Sequence, residues 1–224
     1  MKPKIMILGR SGSGKDTVAS YLTKKYGLKQ LCSTTTRPRR YPGEDTHVFV
    51  SEEEANMMTN RVAETVISGY QYFATRQQLE ECDVYIIDPA GLKYMIEKAP
   101  DVPICIAYID ANEETRMNRA LSRAADPLKE KDVFLKRQES ENEQFSNFEN
   151  NMNLLTVDEL KKIYPSANVF CVFENNEKDK SIAEKFADKI VELRESAVTF
   201  CPNCTRIPHL RRVSGKWLDE SSQE

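Results

Sequence analysis

The 224-residue sequence predicts an α/β fold in which helices cover both faces of a parallel β-sheet. Four short apolar runs have the composition of buried strands, and each precedes a segment with helical character. These runs lie at residues 4–8, 84–87, 104–109 and 168–173. Near-continuous apolar strands that alternate with helices are typical of parallel sheets buried on both sides.

The charge balance excludes several classes of partner. Lys and Arg total 32 against 35 Asp and Glu, a net charge of −3, so no global positive field is available for nucleic acid. No run approaches the roughly 18 apolar residues of a membrane span, and the apolar start at residues 5–8 is too short for a signal peptide. We therefore expect a cytoplasmic protein without nucleic-acid or membrane partners, as a monomer or homodimer.

The first strand leads into the segment GRSGSGK at residues 9–15, and a helix is predicted from Lys15 to Tyr26. This G-x-x-x-x-G-K spacing between strand and helix is that of a phosphate-binding loop. Its glycines let backbone N–H groups turn around a phosphate, and lysine adds a point charge. The predicted nucleotide-binding residues are Gly9, Arg10, Ser11, Gly12, Ser13, Gly14, Lys15, Asp16 and Thr17.

Asp16 stands where this loop usually has the Ser or Thr that contacts Mg²⁺. A carboxylate suits that hard cation directly or through water, which makes Asp16 the candidate metal ligand. Capping of the helix start is the alternative.

The amino-acid composition changes between residues 32 and 81. A Thr/Arg/Pro cluster, a short segment of alternating polarity and a polar helix from Glu52 predict an inserted subdomain there. Arg37 and Arg40 are three residues apart and flanked by prolines. Two guanidinium groups fixed in this way suit a phosphate monoester, whereas a basic surface patch is the alternative.

The segment around these arginines resembles the guanylate kinase family. Residues 33–44 read STTTRPRRYPGE and residues 48–54 read VFVSEEE, similar to that family's S-x-T-T-R-x-P-R, G-E and Y-x-F-V-S pattern. The resemblance implies transfer of the γ-phosphoryl group of ATP to GMP or dGMP with Mg²⁺. It also implies that Ser33, Arg37 and Arg40 bind the acceptor phosphate.

The resemblance continues through AETVISGYQYFAT at residues 63–75. It implies that Glu64 accepts hydrogen bonds from the guanine N1–H and amino groups, and that Thr75 binds O6. His47 and Phe73 stand where the family has tyrosines whose hydroxyls help to hold the phosphate, and Ala74 replaces a glycine. His47 either replaces one hydroxyl or is an ordinary solvated histidine.

Two later segments extend the resemblance. IIDPAG at residues 86–91 is similar to a strand end that implies a magnesium or substrate contact for Asp88. Arg119 and Arg123, four apart on one predicted helix face, and Arg137 resemble lid arginines, although a solvated mixed-charge helix is the alternative. Phosphoryl transfer needs cations around the transferred group, here Lys15, Arg37, Arg40, Arg119, Arg123, Arg137 and Mg²⁺.

Other functions remain open at this stage. A kinase with different or broader base choice fits the departures at His47, Phe73 and Ala74. A GTPase is suggested by DPAG at residues 88–91, which fits the D-x-x-G motif. However, NEKD at residues 176–179 does not match the order of the N-K-x-D motif that recognises guanine in GTPases. A non-catalytic guanylate-kinase-like module is disfavoured by the intact phosphate loop.

The predicted domain covers residues 1–196: a core of 1–34 and 82–196, a monophosphate-binding subdomain at about 35–81, and a helical lid at about 119–140. Residues 197–224 form a tail, in which Cys201 and Cys204 have the spacing of half a zinc site. His209 is a third candidate ligand, and a reduced pair or a redox disulfide is the alternative. The remaining cysteines are expected to be buried reduced thiols: Cys32, Cys82, Cys105 and Cys171.

Overall fold

The structure is a computed structural model that describes residues 2–67, 69–124, 126–176, 181–199, 211–213 and 216–218. The strands are β1 (Lys4–Leu8), β2 (Thr34–Thr35), β3 (Val48–Phe49), β4 (Arg61–Ile67), β5 (Tyr70–Thr75), β6 (Val84–Ile86), β7 (Ile104–Asp110), β8 (Ala167–Glu174), β9 (Arg211–Val213) and β10 (Lys216–Leu218). The helices are α1 (Lys15–Tyr26), α2 (Glu52–Met57), α3 (Arg76–Glu81), α4 (Pro89–Lys98), α5 (Glu113–Leu121), α6 (Pro127–Leu154), α7 (Val157–Ile163) and α8 (Ser181–Thr199).

The central sheet has the strand order β6-β1-β7-β8, and every neighbouring pair is parallel. Gln30 forms a further parallel bridge with Val84, which brings the chain between α1 and β2 alongside β6. The predicted parallel sheet is therefore confirmed. All its strands end at one edge, where the loop after β1 and Asp88 after β6 both lie.

Alternate residues of β1 face two separate hydrophobic layers. Ile5 and Ile7 pack with residues of α1 and α8, whereas Met6 and Leu8 pack with residues of α4, α6 and α7. All four side chains are fully buried. Because the strand is covered on both faces, its sequence is continuously apolar rather than alternating.

Helix α1 begins and ends at glycines in the left-handed region. Gly14 precedes it with φ 100°, and the N–H of Gly27 donates to the carbonyls of Leu22 and Thr23. Asp16 lies in the first turn and lysines in the last turn, an arrangement that complements the helix dipole.

A second, mixed sheet is formed by the inserted segment in the order β3-β2-β5-β4. Strands β2 and β3 are parallel, and the β2–β5 and β5–β4 pairs are antiparallel. Strand β4 packs against α4, so the second sheet stands beside the carboxyl end of β6.

In the residues that the structure describes, three helices lie between β7 and β8: α5 and the long α6, which together span the polar region that includes the predicted lid, and the short α7. Asp126 caps α6 by accepting from the N–H of Lys129 at 3.2 Å, and Pro127 occupies its first turn. Phe145 and Phe148 anchor the later half of α6 in the core. No helix in the described part of the chain combines the length and apolar character needed to cross a membrane.

Two expectations about the cysteines and the tail are modified. Cys32, in the segment before β2, is exposed, whereas Cys82, Cys105 and Cys171 are buried free thiols as expected. Helix α8 continues to Thr199, past the predicted boundary at 196. The proposed zinc ligands Cys201, Cys204 and His209 lie outside the described residues.

Candidate active site

Close approach of other chain segments explains why the loop after β1 needs glycine. A Cβ on Gly14 would lie 2.4 Å from Asn175 Nδ2, and one on Gly9 would lie 2.6 Å from the carbonyl oxygen of Ile109. Gly14 also has φ 100°, a region that residues with a Cβ rarely adopt. Only glycine fits these positions, so the backbone itself is left to line the loop.

The donors at the start of α1 fit the phosphates of a nucleotide. Lys15 Nζ lies 3.5 Å from the carbonyl oxygen of Arg10, so the ammonium reaches back over the loop. Ser13 is fully buried, and its hydroxyl has no hydrogen-bond partner among the described residues. The helix dipole and the orphaned donor both favour an anion here.

Mg²⁺ fits the exposed first turn of α1. Asp16 and Thr17 are both exposed there and offer carboxylate and hydroxyl oxygens. The described residues contain no group of three or more His, Cys, Asp or Glu arranged to hold a metal ion. Magnesium in phosphoryl-transfer sites is held by one or two carboxylates together with substrate phosphates, which is the kind of site that Asp16 could complete.

Helix α5 and the turn after β8 hold the outer side of the loop. Arg119 Nη1 donates to the carbonyls of Gly12 and Ser13, each at 3.2 Å, and Asn175 Nδ2 donates to Ser13 O at 2.7 Å. The buried Arg116 reaches Ser11 O at 3.5 Å. These contacts fix the carbonyl side of the loop. Arg119, expected at the transferred phosphoryl group, lies instead against the loop's backbone.

Helix α6 contacts the loop through three acidic or amide side chains. Arg10 donates to both carboxylate oxygens of Glu149 at 2.7 Å and to Asn142 at 2.5 Å. Glu141 Oε1 accepts from the N–H of Ser11 at 2.8 Å and from its hydroxyl at 2.5 Å. Arg10, predicted as a nucleotide contact, thus has its guanidinium committed to α6.

The contact between Arg10 and Glu149 is reinforced from β7. The buried hydroxyl of Tyr108 donates to the same carboxylate. Burial alone would raise the pKa of Glu149, but the hydrogen bonds from Arg10 and Tyr108 bring it below its usual value. The carboxylate therefore stays ionised and ties α6 to the sheet and to the loop.

In the segment between β2 and β3, Arg37 is paired with Glu44. Arg37 Nη2 lies 2.8 Å from Glu44 Oε1, and the two residues are 8% and 3% exposed. Hydrogen bonds from Arg37, from the Arg40 N–H and from Thr46 lower the pKa of Glu44 to about 2. The Nε of Arg37 is buried without a partner among the described residues, which leaves it as a spare donor.

Ser33, His47 and Tyr72 surround this arginine. Ser33 Oγ lies 2.9 Å from His47 Nδ1, and the His47 and Tyr72 rings meet edge to face at 5.5 Å between centroids. Burial, and then the charge of Arg37, lower the pKa of His47. Glu44, and next to it Tyr72, raise the pKa of Arg37. The structure thus brings Ser33, Arg37 and His47 together, and the Tyr72 side chain lies beside them. These four residues form the Arg37 cluster.

The register of β4 and β5 corrects the expected position of Glu64 and Phe73. Glu64 pairs with Phe73, whereas Thr65 pairs with Tyr72. Paired residues share a face and successive residues alternate, so Glu64 and Phe73 lie on the face opposite to Tyr72. The structure therefore does not bring Glu64 to the Arg37 cluster.

Contacts on the far face agree with this register. Arg61 Nη1 lies 2.6 Å from Glu64 Oε1, and its guanidinium lies 3.9 Å from the centroid of the Phe73 ring. Thr75 shares that face and caps α3 in a capping box with Gln78. The side chains predicted to read guanine are thus engaged in packing and capping.

Asp88 lies between the two sheets. Its Oδ1 accepts from the N–H groups of Ala90 and Gly91, both at 2.9 Å, as the cap of α4. Burial raises the pKa of Asp88, opposed by these N–H groups and by the Thr65 hydroxyl. Because Thr65 belongs to β4, its contact with Asp88 links the second sheet to the edge of the central sheet that carries the loop.

Of the remaining predicted arginines, Arg40 adjoins the cluster through its N–H on Glu44, whereas Arg123 and Arg137 have no contact with these groups among those the structure describes. Arg40 and Arg123 are exposed, and the latter donates to the carbonyl of Arg119 at 2.9 Å. Arg137 is exposed on α6, with Glu130 4.0 Å away.

Sequence reasoning missed the roles of Tyr72, Arg116 and Glu141. Strand parity would separate Tyr72 from Phe73 once β5 is paired with β2, but no local signal sets that pairing. The glutamates of α6 have no distinguishing pattern in the sequence.

A glycine-rich phosphate loop between the central strand and α1 of a parallel sheet defines a P-loop α/β protein. A sequence profile of the AAA_18 family, described as an AAA domain, matches residues 5–149, and the chain belongs to this family. No curated protein sequence matches the chain.

Similar solved structures include two kinases and one uncharacterized protein. A guanylate kinase from Anaplasma phagocytophilum is 19% identical with a TM-score of 0.50, over 89% of this chain and 88% of that one. A sugar kinase from a Janibacter species has 14% identity and a TM-score of 0.48, covering 89% and 100%. An uncharacterized protein from Eubacterium ventriosum has 13% identity and a TM-score of 0.42, covering 87% and 99%. The similarity to the guanylate kinase supports the fold alone.

Proposed function

We propose that the protein is a nucleoside monophosphate kinase that transfers the γ-phosphoryl group of ATP to GMP or dGMP. The observation that carries the proposal is the presence of two anion-binding groups: the phosphate loop at the edge of the central sheet, and the buried Arg37 after β2, in the sheet that Thr65 joins to Asp88 at that edge. The loop offers backbone N–H groups and Lys15 to a donor phosphate, and Arg37 has a buried Nε without a partner among the described residues. A protein with two such phosphate-binding groups suits phosphoryl transfer between phosphates.

The chain's own groups supply positioning and positive charge. Lys15 and the loop N–H groups would bind the donor phosphates, and Asp16 would help to hold Mg²⁺, which neutralises phosphate charge when bound. Arg37, oriented by Glu44, would bind the acceptor phosphate with Ser33 and Tyr72. Neutral His47 completes that subsite as a hydrogen-bonding group without added charge.

The choice of guanine rests on the family resemblance, and one observation favours another base. Glu64 is ion-paired with Arg61 on the face away from Arg37, so a guanine-reading role would require that pair to open. A nucleoside monophosphate kinase with a different or broader base preference is therefore the second candidate.

The test is an ADP-release assay with ATP, Mg²⁺ and each ribo- and deoxyribonucleoside monophosphate in turn. Free nucleosides serve as acceptors without phosphate, and Lys15→Ala is the inactive control. We expect turnover with at least one purine monophosphate and none with its nucleoside. Turnover of nucleosides alone, or ATP hydrolysis that no monophosphate stimulates, would overturn the proposal. Turnover with AMP, CMP or TMP but not GMP or dGMP would select the second candidate.

A further inference from the structure

A carboxylate of the protein itself occupies donors of the phosphate loop. Glu141 Oε1 accepts from both the backbone N–H and the hydroxyl of Ser11, at 2.8 and 2.5 Å. Backbone N–H groups of such a loop are the groups that bind phosphate oxygens. A side-chain anion is therefore seated at the loop.

The position of Glu141 makes this contact more than a surface hydrogen bond. Its second oxygen, Oε2, is buried without a hydrogen-bond partner among the described residues, and Arg116 Nη1 lies 3.7 Å from it. The side chain is 16% exposed. A charged oxygen that is buried and incompletely satisfied costs free energy, so this arrangement is poised to be exchanged for a better-satisfied one.

Further along α6, the contacts with the rest of the protein involve the hydrophobic core. Glu149 lies two turns further on, pairs with Arg10 and Tyr108, and follows the buried Phe145 and Phe148. That part of α6 is anchored in the core. The part before Glu141 is mostly exposed, and its buried Phe134 lies against Arg116 of α5 rather than in either hydrophobic layer of the sheet. This part can therefore move away from the loop by giving up contacts with α5, without opening those layers.

We propose that Glu141 is an internal competitor for the phosphate loop, displaced from Ser11 when ATP binds. Two anions cannot share the same N–H and hydroxyl donors, and their charges repel at this distance. Nucleotide binding would thus be coupled to release of the earlier part of α6. This inference rests on the proposed function only in that the loop binds ATP.

The competition lowers the apparent affinity for nucleotide. The observed dissociation constant is the intrinsic one divided by the fraction of molecules with a free loop. Charge-assisted hydrogen bonds of about 1.5 kcal/mol would leave roughly one molecule in ten free, because about 1.4 kcal/mol is a factor of ten. Removing the charge is therefore expected to tighten ATP binding about tenfold.

The test compares Glu141→Gln with Glu143→Gln, an exposed glutamate on the same helix. ATP binding is measured by titration calorimetry without any acceptor, and amide hydrogen exchange of residues 127–141 is followed with and without ATP. We expect about tenfold tighter binding for Glu141→Gln, no change for Glu143→Gln, and faster exchange of this segment when ATP binds the wild type.

Equal or weaker ATP binding by Glu141→Gln, with thermal unfolding showing an intact fold, would overturn the inference. Unchanged exchange of residues 127–141 with ATP would also overturn it. Because no acceptor is present, a failure to phosphorylate any monophosphate would count against the proposed function and not against this inference.

Discussion

Moving a hydroxyl between the two neighbouring aromatic residues of β5 tests which face of the second sheet binds the acceptor. Phe73 is fully buried beneath the guanidinium of Arg61. Phe73→Tyr adds a hydroxyl there, and a buried hydroxyl without a partner costs about 1–3 kcal/mol. We expect the free energy of unfolding to fall by about 2 kcal/mol and Tm by about 4–8 °C for a chain of this length.

The reciprocal change, Tyr72→Phe, keeps the ring and removes the hydroxyl beside Arg37. Tyr72 is only half buried, so we expect the unfolding free energy to change by less than about 0.5 kcal/mol. The KM for the monophosphate should rise about tenfold, because a hydrogen bond to a charged group contributes about 1.5 kcal/mol. The kcat should change little.

Stability is measured by urea denaturation followed by circular dichroism, and KM by ADP release at varied monophosphate concentration. Tyr70→Phe is the matched control, since it makes the same chemical change on the same strand face near the hairpin end. The family resemblance implies the reverse pattern, in which Phe73→Tyr restores a phosphate-binding hydroxyl. Unchanged stability with a lower KM for Phe73→Tyr would refute our assignment of the two faces.

Three further predictions concern the phosphate loop and the Arg37 cluster. Lys15→Ala should abolish turnover while monophosphate binding, measured by calorimetry, stays within severalfold, because the lysine serves the donor; an equal loss of acceptor affinity would contradict this. Gly14→Ala should lower the free energy of unfolding by about 2 kcal/mol or more, because of backbone strain and collision of the new Cβ with Asn175. Adding Asn175→Ala in the same chain should recover the part of this loss that the collision causes. Strict additivity of the two changes in urea denaturation would count against that contact. His47 has a pKa below its ordinary value of 6.5 because it is buried beside Arg37. The free energy of unfolding should therefore fall as pH falls from about 6.5 towards the lowered pKa, and His47→Gln should remove that dependence. Identical pH profiles for the two proteins would show that His47 is not buried in this way.

The sequence by itself determines the parallel sheet and the phosphate loop. Both depend on local patterns: continuously apolar strands, and glycines whose missing Cβ leaves room for Asn175 and Ile109. The end of each strand and the start of α1 follow from the same few residues. The position of the loop at the sheet edge therefore needs no long-range information.

Only the tertiary structure decides which face of β5 meets Arg37. The parity of Tyr72 and Phe73 is fixed by pairing with β2, more than 30 residues away, and a shift of one residue would exchange the two faces. The choice of Glu141 among the glutamates of α6 is also long-range. Packing of Phe145 and Phe148 in the core sets the rotation of the helix, and that rotation brings one carboxylate of several to Ser11.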